Sequence, residues 1–399
     1  MSTERPVSGR PGSKPPVASS VRREGIPLGR IAGIPIVLAY SWFLIAAFTV
    51  IVFGPVIQFN FQRLGAWAYF IAFVYALLLL FSVLIHELAH ALMARIFHWP
   101  TQKIVLNLWG GHTQFENFTA TPWRSLVVAL AGPAANFVLA AAGWLLVLTL
   151  PSGGSMNGEL ASALANIFTW ANFLIGVFNV LPGLPLDGGR LVESIVWRIT
   201  GSQEKGTVAA GWAGRVVVVV LVIMTLVVPL LLNGNVNLQS ALFALFIAGF
   251  LWLGASQAIT TARMRLRLPQ ISAGRLSGPA VGLSESASVS QVMSMLSAHP
   301  ELSVVLCLAD GRPAYLVDPL ALAAVPLNVA GSTPATAVAH PLPEGGCVPE
   351  TASGQELVQY LAQLAGSDYA VVNEAGTVTG LLRQQVVVAA ITGKPLRTG

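Results

Sequence analysis

The chain has 399 residues, of which 54% are hydrophobic and only 10% charged. A soluble domain ordinarily carries about 25% charged residues, so there is too little polar surface to coat a water-exposed particle, and most of the chain is expected in lipid. The formal net charge of +5 does not point to nucleic acid, because the basic residues fall between apolar runs and form no basic patch on a polar domain. Cys307 and Cys347 fit no metal or disulfide spacing and read as buried thiols.

Residues 1–25 are rich in Pro, Ser, Gly and charge and lack an apolar h-region, so they read as a disordered cytoplasmic tail and not as a cleaved signal. Six apolar segments follow, at roughly 34–55, 67–97, 124–150, 162–181, 213–232 and 240–261; each reaches the length of about 20 residues needed to cross a bilayer. The connections on one side, with the tail, hold sixteen Lys and Arg, and those on the other hold only Arg63. Positive charge stays inside, which places both termini in the cytoplasm of a multi-pass protein of the cell membrane.

The second segment contains Ile85-His86-Glu87-Leu88-Ala89-His90. Histidines at i and i+4 share a helix face, so both imidazoles reach one metal ion and Glu87 lies beside it. Ionisable groups inside a span cost about 2–3 kcal/mol each even on the lenient insertion scale, and packing alone does not call for three in five positions. The next connection, Lys103 to Asn117, reads as a β-hairpin around Gly110-Gly111 whose free edge offers strand addition to an extended peptide, or as a plain interfacial hairpin anchored by Trp109. His98 and His112, like His299 and His340 in the tail, are not expected to be ligands.

A catalytic zinc site takes three protein ligands and one open position. Besides Glu87, the acids of the membrane part include Glu116, Glu159, Asp187 and Glu193. Glu159 falls on the outer side. His86 and His90 lie about 30 Å along the second span at 1.5 Å per residue, the depth at which Asp187 follows the fourth. Glu193 is at a similar depth but reads as a solvated carboxylate on an interfacial helix, and it stays open as an alternative with Glu116. Asp187 sits in Asn179-Val-Leu-Pro-Gly-Leu-Pro-Leu-Asp-Gly-Gly-Arg190, where Pro182 and Pro185 stop the helix and Gly188 and Gly189 permit close approach or positive φ. Asn136 and Asn179 are amides in apolar segments; each is a candidate oxyanion or substrate donor, with interhelical hydrogen bonding the competing role.

After Arg267 the composition changes, and residues 268–283, rich in Ser, Gly and Pro, read as a linker. Beyond them, Ser303 to Asp318 and Tyr369 to Arg383 each read as strand, turn, strand, with Gly311 and Gly376 placing the copies 65 residues apart. Helix candidates Ser288 to Ala298 and Ser353 to Leu364 precede them. This repeat, within residues 284–399, resembles a tandem pair of CBS (cystathionine β-synthase) modules. The resemblance implies a pseudo-twofold pair that packs or forms a homodimer. At the positions where nucleotide-binding members carry Ser or Thr and then Asp, this chain has Asp318 and Ala321, and Arg383 and Val386, so the ribose carboxylate is missing and nucleotide binding is not the favoured expectation.

His86-Glu87-Leu88-Ala89-His90 in a span, Ala131-Gly-Pro-Ala-Ala-Asn136, and Asn179 to Arg190 together resemble the site-2 protease family of intramembrane zinc metalloproteases, in the bacterial branch that ends in a CBS pair. The resemblance implies one zinc held by His86, His90 and Asp187, Glu87 as catalytic base, and a six-span catalytic domain over residues 26–267. It further implies cleavage of a single-span membrane protein, such as an anti-sigma factor or membrane-bound regulator, near the cytoplasmic leaflet. The alternative is a CBS-regulated metal or ion transporter. That reading needs polar residues repeated through the membrane or an inverted repeat, and neither is visible.

Overall fold

The computed structural model describes residues 25–108, 110–115, 120–150 and 156–393, so all of the expected tail except Gly25 lies outside the described residues, as do Trp109 and Glu116. The chain divides into two compact units, residues 1–195 and 196–399. Among the described residues six helices are long and apolar enough to cross a membrane, and the protein is a multi-pass membrane protein.

The first unit opens with the hairpin β1 (Gly25–Ile31) and β2 (Ile34–Ala39), followed by the spans α1 (Trp42–Asn60) and α2 (Trp67–Ile96). The strands β3 (Thr101–Asn107) and β4 (Gly110–Phe115) then precede the spans α3 (Pro122–Thr149) and α4 (Met156–Val180). Non-helical backbone at residues 181–186 leads into α5 (Asp187–Thr200), which runs across the division between the units.

The four strands form one sheet in the order β1-β2-β3-β4, with β2 parallel to β3 and the other pairs antiparallel. This corrects the expected start of the first span at residue 34. Ile34, Ile36 and Leu38 alternate into a core with Trp42, Ala46, Ala76, Ala91, Ile104 and Leu106, which is the period of a strand buried on one face. The helix begins only at Trp42. In the β3–β4 hairpin Asn107 pairs with Gly110 and Leu106 with Gly111, so the turn falls one residue pair earlier than expected and the two glycines open β4. Small residues set the approach of the spans: a methyl group at Gly143 would meet Thr169, and one at Gly176 would meet Phe137, both across the α3–α4 contact.

The second unit contains α6 (Gln203–Val222), a π-helical turn Ile223–Val227 and α7 (Val228–Asn233), which together make the fifth span, and α8 (Leu238–Arg267), the sixth. Gly234 ends α7 at φ +69°, and Asn237 caps α8 by accepting from the Ser240 N–H.

A short helix α9 (Ala273–Leu276) leads to β5 (Gly278–Ser284), α10 (Val289–Ala298), β6 (Ser303–Cys307), β7 (Pro313–Val317), α11 (Pro319–Ala323) and β8 (Ala339–Pro341). The second copy comprises β9 (Cys347–Pro349), α12 (Gly354–Gln363), β10 (Asp368–Val372), β11 (Val378–Arg383) and α13 (Gln384–Thr392). Both expected strand pairs turn at a glycine of positive φ, Gly311 and Gly376. Each copy gains a leading strand: β5 runs parallel to β6 as β9 runs parallel to β10. The sheet order is β8-β7-β6-β5-β11-β10-β9, so the copies join where β5 meets β11.

The segment 268–283, expected to be a linker, is therefore structured through most of its length. β5 is paired on both sides, and Leu268, Ile271, Ala273 and Leu276 pack into the second copy's core with Leu357, Tyr369 and Leu382. Its Ser, Gly and Pro content reflects a central strand with small side chains and not a tether. The two copies share one seven-stranded sheet, as the repeated strand–turn–strand pattern leads one to expect. Asp318 caps α11 by accepting from the Leu320 N–H, and burial pushes both half-buried thiols, Cys307 and Cys347, above their ordinary pKa.

Candidate metal centre

Three candidate ligands converge on one point: two histidines 4 residues apart and an aspartate 97 and 101 residues beyond them. His86 and His90 lie on the same face of α2, as their i, i+4 spacing dictates. His86 Nε2 lies 2.9 Å and His90 Nε2 3.2 Å from Asp187 Oδ2, and the two Nε2 atoms are 3.1 Å apart. Both histidines are buried.

The opposite ring nitrogens show which tautomer is present. His86 Nδ1 is 2.5 Å from Asn136 Oδ1, and His90 Nδ1 is 2.7 Å from the Val128 carbonyl. The carbonyl only accepts, so His90 Nδ1 carries the proton. Asn136 is oriented by a chain of hydrogen bonds: its Nδ2 donates to Asn172 Oδ1, and Asn172 Nδ2 donates to Ser82 Oγ and to the Phe168 carbonyl. Ser82 Oγ in turn donates to the Leu78 carbonyl. Because the chain ends on backbone acceptors, Asn136 presents oxygen to His86, and His86 Nδ1 also donates.

In the neutral tautomer with Nδ1–H, both Nε2 atoms turn lone pairs toward each other and toward a carboxylate oxygen. Such a cluster is repulsive unless a cation occupies it. Tetrahedral zinc with bonds of about 2.0–2.1 Å sets its ligand atoms about 3.3 Å apart, close to the spacing seen. The donor set, two imidazoles and a carboxylate with acceptors fixing the imidazoles, fits zinc.

Asp187 is the first residue of α5, placed there by the break at residues 181–186. A side chain at Gly188 would strike the Val180 and Leu181 carbonyls, and one at Gly189 would strike the backbone of Gly183 and Leu184. Of the two reasons expected for this glycine pair, close approach is the operative one. Glu87 is buried beside His86 in the chain. Its Oε2 accepts from Thr113 Oγ1 of β4 at 2.8 Å, and its backbone carbonyl accepts from the same hydroxyl at 3.3 Å.

The structure separates the two asparagines. Asn136 is fully buried and its amide is committed to His86 and Asn172, so the expected oxyanion or substrate role gives way to holding a ligand. Asn179 is half-buried on the face of α4 that carries Asn172, with no hydrogen bond among the described residues. Glu193, expected to be solvated, is buried. Glu159 is exposed in the first turn of α4. His98, His112, His299 and His340 are exposed and lie outside the cluster.

Sequence reasoning missed Asn172, Ser82 and Thr113, and it also missed Gly111 and Gly132. A methyl group at Gly111 would strike the Glu87 side chain, and one at Gly132 would strike both imidazoles. Gly132 lies within the Ala131 to Asn136 motif, which was a signal that this helix face meets the histidines. The hydrogen-bond chain carries a prediction: Asn136→Leu should weaken zinc binding by about 10–100-fold, measured by chelator competition on the purified protein. Unchanged affinity would show that Asn136 does not hold His86.

The model of peptidase family M50 matches residues 74–153 and 152–225, which contain all three candidate ligands. A Bacillus subtilis protein named "Putative zinc metalloprotease YwhC" is 31% identical over 176 residues, 37% of this chain and 79% of that protein. A Synechocystis protein named as a "Putative zinc metalloprotease" is 36% identical over 190 residues, 48% of this chain and 49% of its own length. The solved site-2 protease from Methanocaldococcus jannaschii is 24% identical, with 59% of this chain and 94% of that one covered and a TM-score of 0.40. The chain belongs to peptidase family M50, and its match spans about half the length of the Synechocystis relative.

Proposed function

We propose that the protein is an intramembrane zinc metalloendopeptidase that cleaves a transmembrane segment of a membrane protein near the cytoplasmic leaflet. The observation that carries this reading is the meeting of His86 Nε2 and His90 Nε2, on the helix that also carries Glu87, with Asp187 Oδ2 of α5, all within 4.8 Å of one another. His86, His90 and Asp187 would hold the ion, leaving one position open. Bound zinc supplies Lewis acidity towards a water molecule and a carbonyl oxygen.

The rest of the chemistry falls to side chains of this chain. Glu87 takes a proton from the attacking water and returns it to the departing amine, and Thr113 holds its carboxylate in place. Asn179, with an uncommitted amide, is the candidate donor to the carbonyl oxygen. β4 is an edge strand of its sheet and carries both Thr113 and Gly111, so a substrate unwound into an extended strand that pairs along this edge would have its peptide bonds next to Glu87.

The substrate class is a single-span membrane protein, such as an anti-sigma factor or another membrane-bound regulator. The protein sits in the bacterial cell membrane with both termini cytoplasmic, and the CBS-like pair offers a homodimer contact. A transporter would need further polar groups along its path. Among the described residues the three-ligand group is the single cluster of its kind.

The test is a cleavage assay in proteoliposomes with single-span reporters. A zinc chelator is expected to stop cleavage, and added zinc to restore it. Cleavage that persists in the zinc-stripped protein, or chelator-sensitive ion flux without cleavage, would overturn the reading.

A further inference from the structure

The fifth and sixth spans meet around a cation, Arg215, that the site described above does not use. Arg215 lies within α6, and its guanidinium carbon is 4.6 Å from the ring centre of Trp212 and 4.9 Å from that of Trp252 on α8. Its Nη2 donates to Ser256 Oγ at 3.1 Å. Its Nε is buried with no hydrogen-bond partner, and among the described residues no carboxylate pairs with it. A guanidinium has five N–H donors, so most of this one's capacity is unspent, and its charge is uncompensated.

Helix length fixes the depth of this group. The fifth span covers 30 residues, Gln203–Leu232, and α8 covers 30, Leu238–Arg267. Each is about 45 Å long at 1.5 Å per residue, against a hydrocarbon core of about 30 Å. Counting about 20 residues from the turn between them ends near residue 213 on the fifth span and near residue 257 on α8. The two counts meet at the layer of Trp212, Arg215, Trp252 and Ser256. Tryptophan belts mark this boundary in membrane proteins. It is the boundary on the side of the basic connections.

The surface around the guanidinium is apolar and exposed. Trp212 is 49% exposed and Trp252 42%, and the neighbouring Val216, Val219 and Leu253 are exposed and apolar. Two further cations, Lys205 and Arg263, follow seven residues beyond Trp212 and Ser256 and are exposed; at two helical turns they share the same faces. The pairing is built to be close, because methyl groups at Gly211 would strike Ile259 and approach the Ala255 carbonyl. The anion available at this depth is a phosphate, and a planar guanidinium binds phosphate through paired N–H donors.

We propose that Trp212, Arg215, Trp252 and Ser256 form a site for the phosphate headgroup of an anionic phospholipid in the leaflet on the cytoplasmic side. The two indoles hold the guanidinium between them, Ser256 fixes its rotation, and its remaining terminal donors take the phosphate. Lys205 and Arg263 favour lipids of net negative charge over zwitterionic ones.

The experiment uses the full-length chain, delipidated in detergent and titrated with phosphatidylglycerol or phosphatidylcholine, with bound lipid counted by native mass spectrometry. The native chain is expected to bind phosphatidylglycerol at least about tenfold more tightly than phosphatidylcholine, and Arg215→Gln to lose that preference with zinc content unchanged. Equal affinity for the two lipids, or a preference retained in Arg215→Gln, overturns the proposal. Displacement of the lipid by millimolar inorganic phosphate also overturns it, since the site would then take free phosphate. Should Arg215→Gln fail to fold, the double variant Trp212→Ala with Trp252→Ala decides: a lost preference supports the site and an unchanged one overturns it.

Discussion

Glu87→Gln is expected to lower the cleavage rate by about 10²–10⁴-fold, the usual contribution of a positioned acid or base, while zinc content stays at its native level. The two effects separate because the Glu87 carboxylate is not among the three ligand atoms that meet at the metal point. The glutamine amide keeps an oxygen that accepts from Thr113 as Oε2 does in the native chain, so the side chain should stay in place. Only the proton acceptor is removed. The check is the initial rate of reporter cleavage in proteoliposomes, with metal content measured on the same preparation. A rate within about tenfold of native would remove Glu87 from proton transfer.

Asp187→Ala is expected to weaken zinc binding by more than about 100-fold, because even the groups that only orient a ligand cost about 10–100-fold, and activity should fall with it. His86→Ala should behave alike. The comparison of interest is between these variants and Glu193→Gln. Glu193 is the buried acid of α5, and if it were the third ligand its variant would lose the metal and Asp187→Ala would keep it. Metal analysis of the three purified variants distinguishes the two ligand sets, and circular dichroism checks that the helices persist.

The metal cluster was legible because its chemistry is written in local spacing. His86 and His90 reach one point wherever α2 goes, and a carboxylate at the matching depth narrows the third ligand to very few residues. Asn172 and Ser82 carried no such mark: an amide and a hydroxyl in apolar runs read the same whether they hold a histidine's partner or only join two helices. Thr113 and Gly111 matter only because β4 packs over Glu87, a tertiary fact without a sequence period. The six spans were legible from hydropathy, yet Ile34 to Ala39 merged with the first of them, since an apolar strand and the first turns of an apolar helix have the same composition. The linker reading of 268–283 failed for the converse reason. β5 owes its place to backbone pairing on both edges, which small residues do not advertise. Glu193 was misjudged because the polar side of an amphipathic helix was equated with water, whereas this one packs away from it.

The pairing of β5 also changes what kind of joint lies between the last span and the repeated module. Ten residues separate α8 from β5, seven of them in a 3-10 turn and α9, and Arg267 at the end of α8 donates to the Ile391 carbonyl of α13. No slack exists there for a hinge to use. Such a splice is expected to pass rotation or translation of the sheet on to the sixth helix. The same splice denies an engineer a clean cut. A chain trimmed after Arg267 would take Leu268, Ile271 and Leu276 out of the module's core and strip the shaft from the sheet that steadies it.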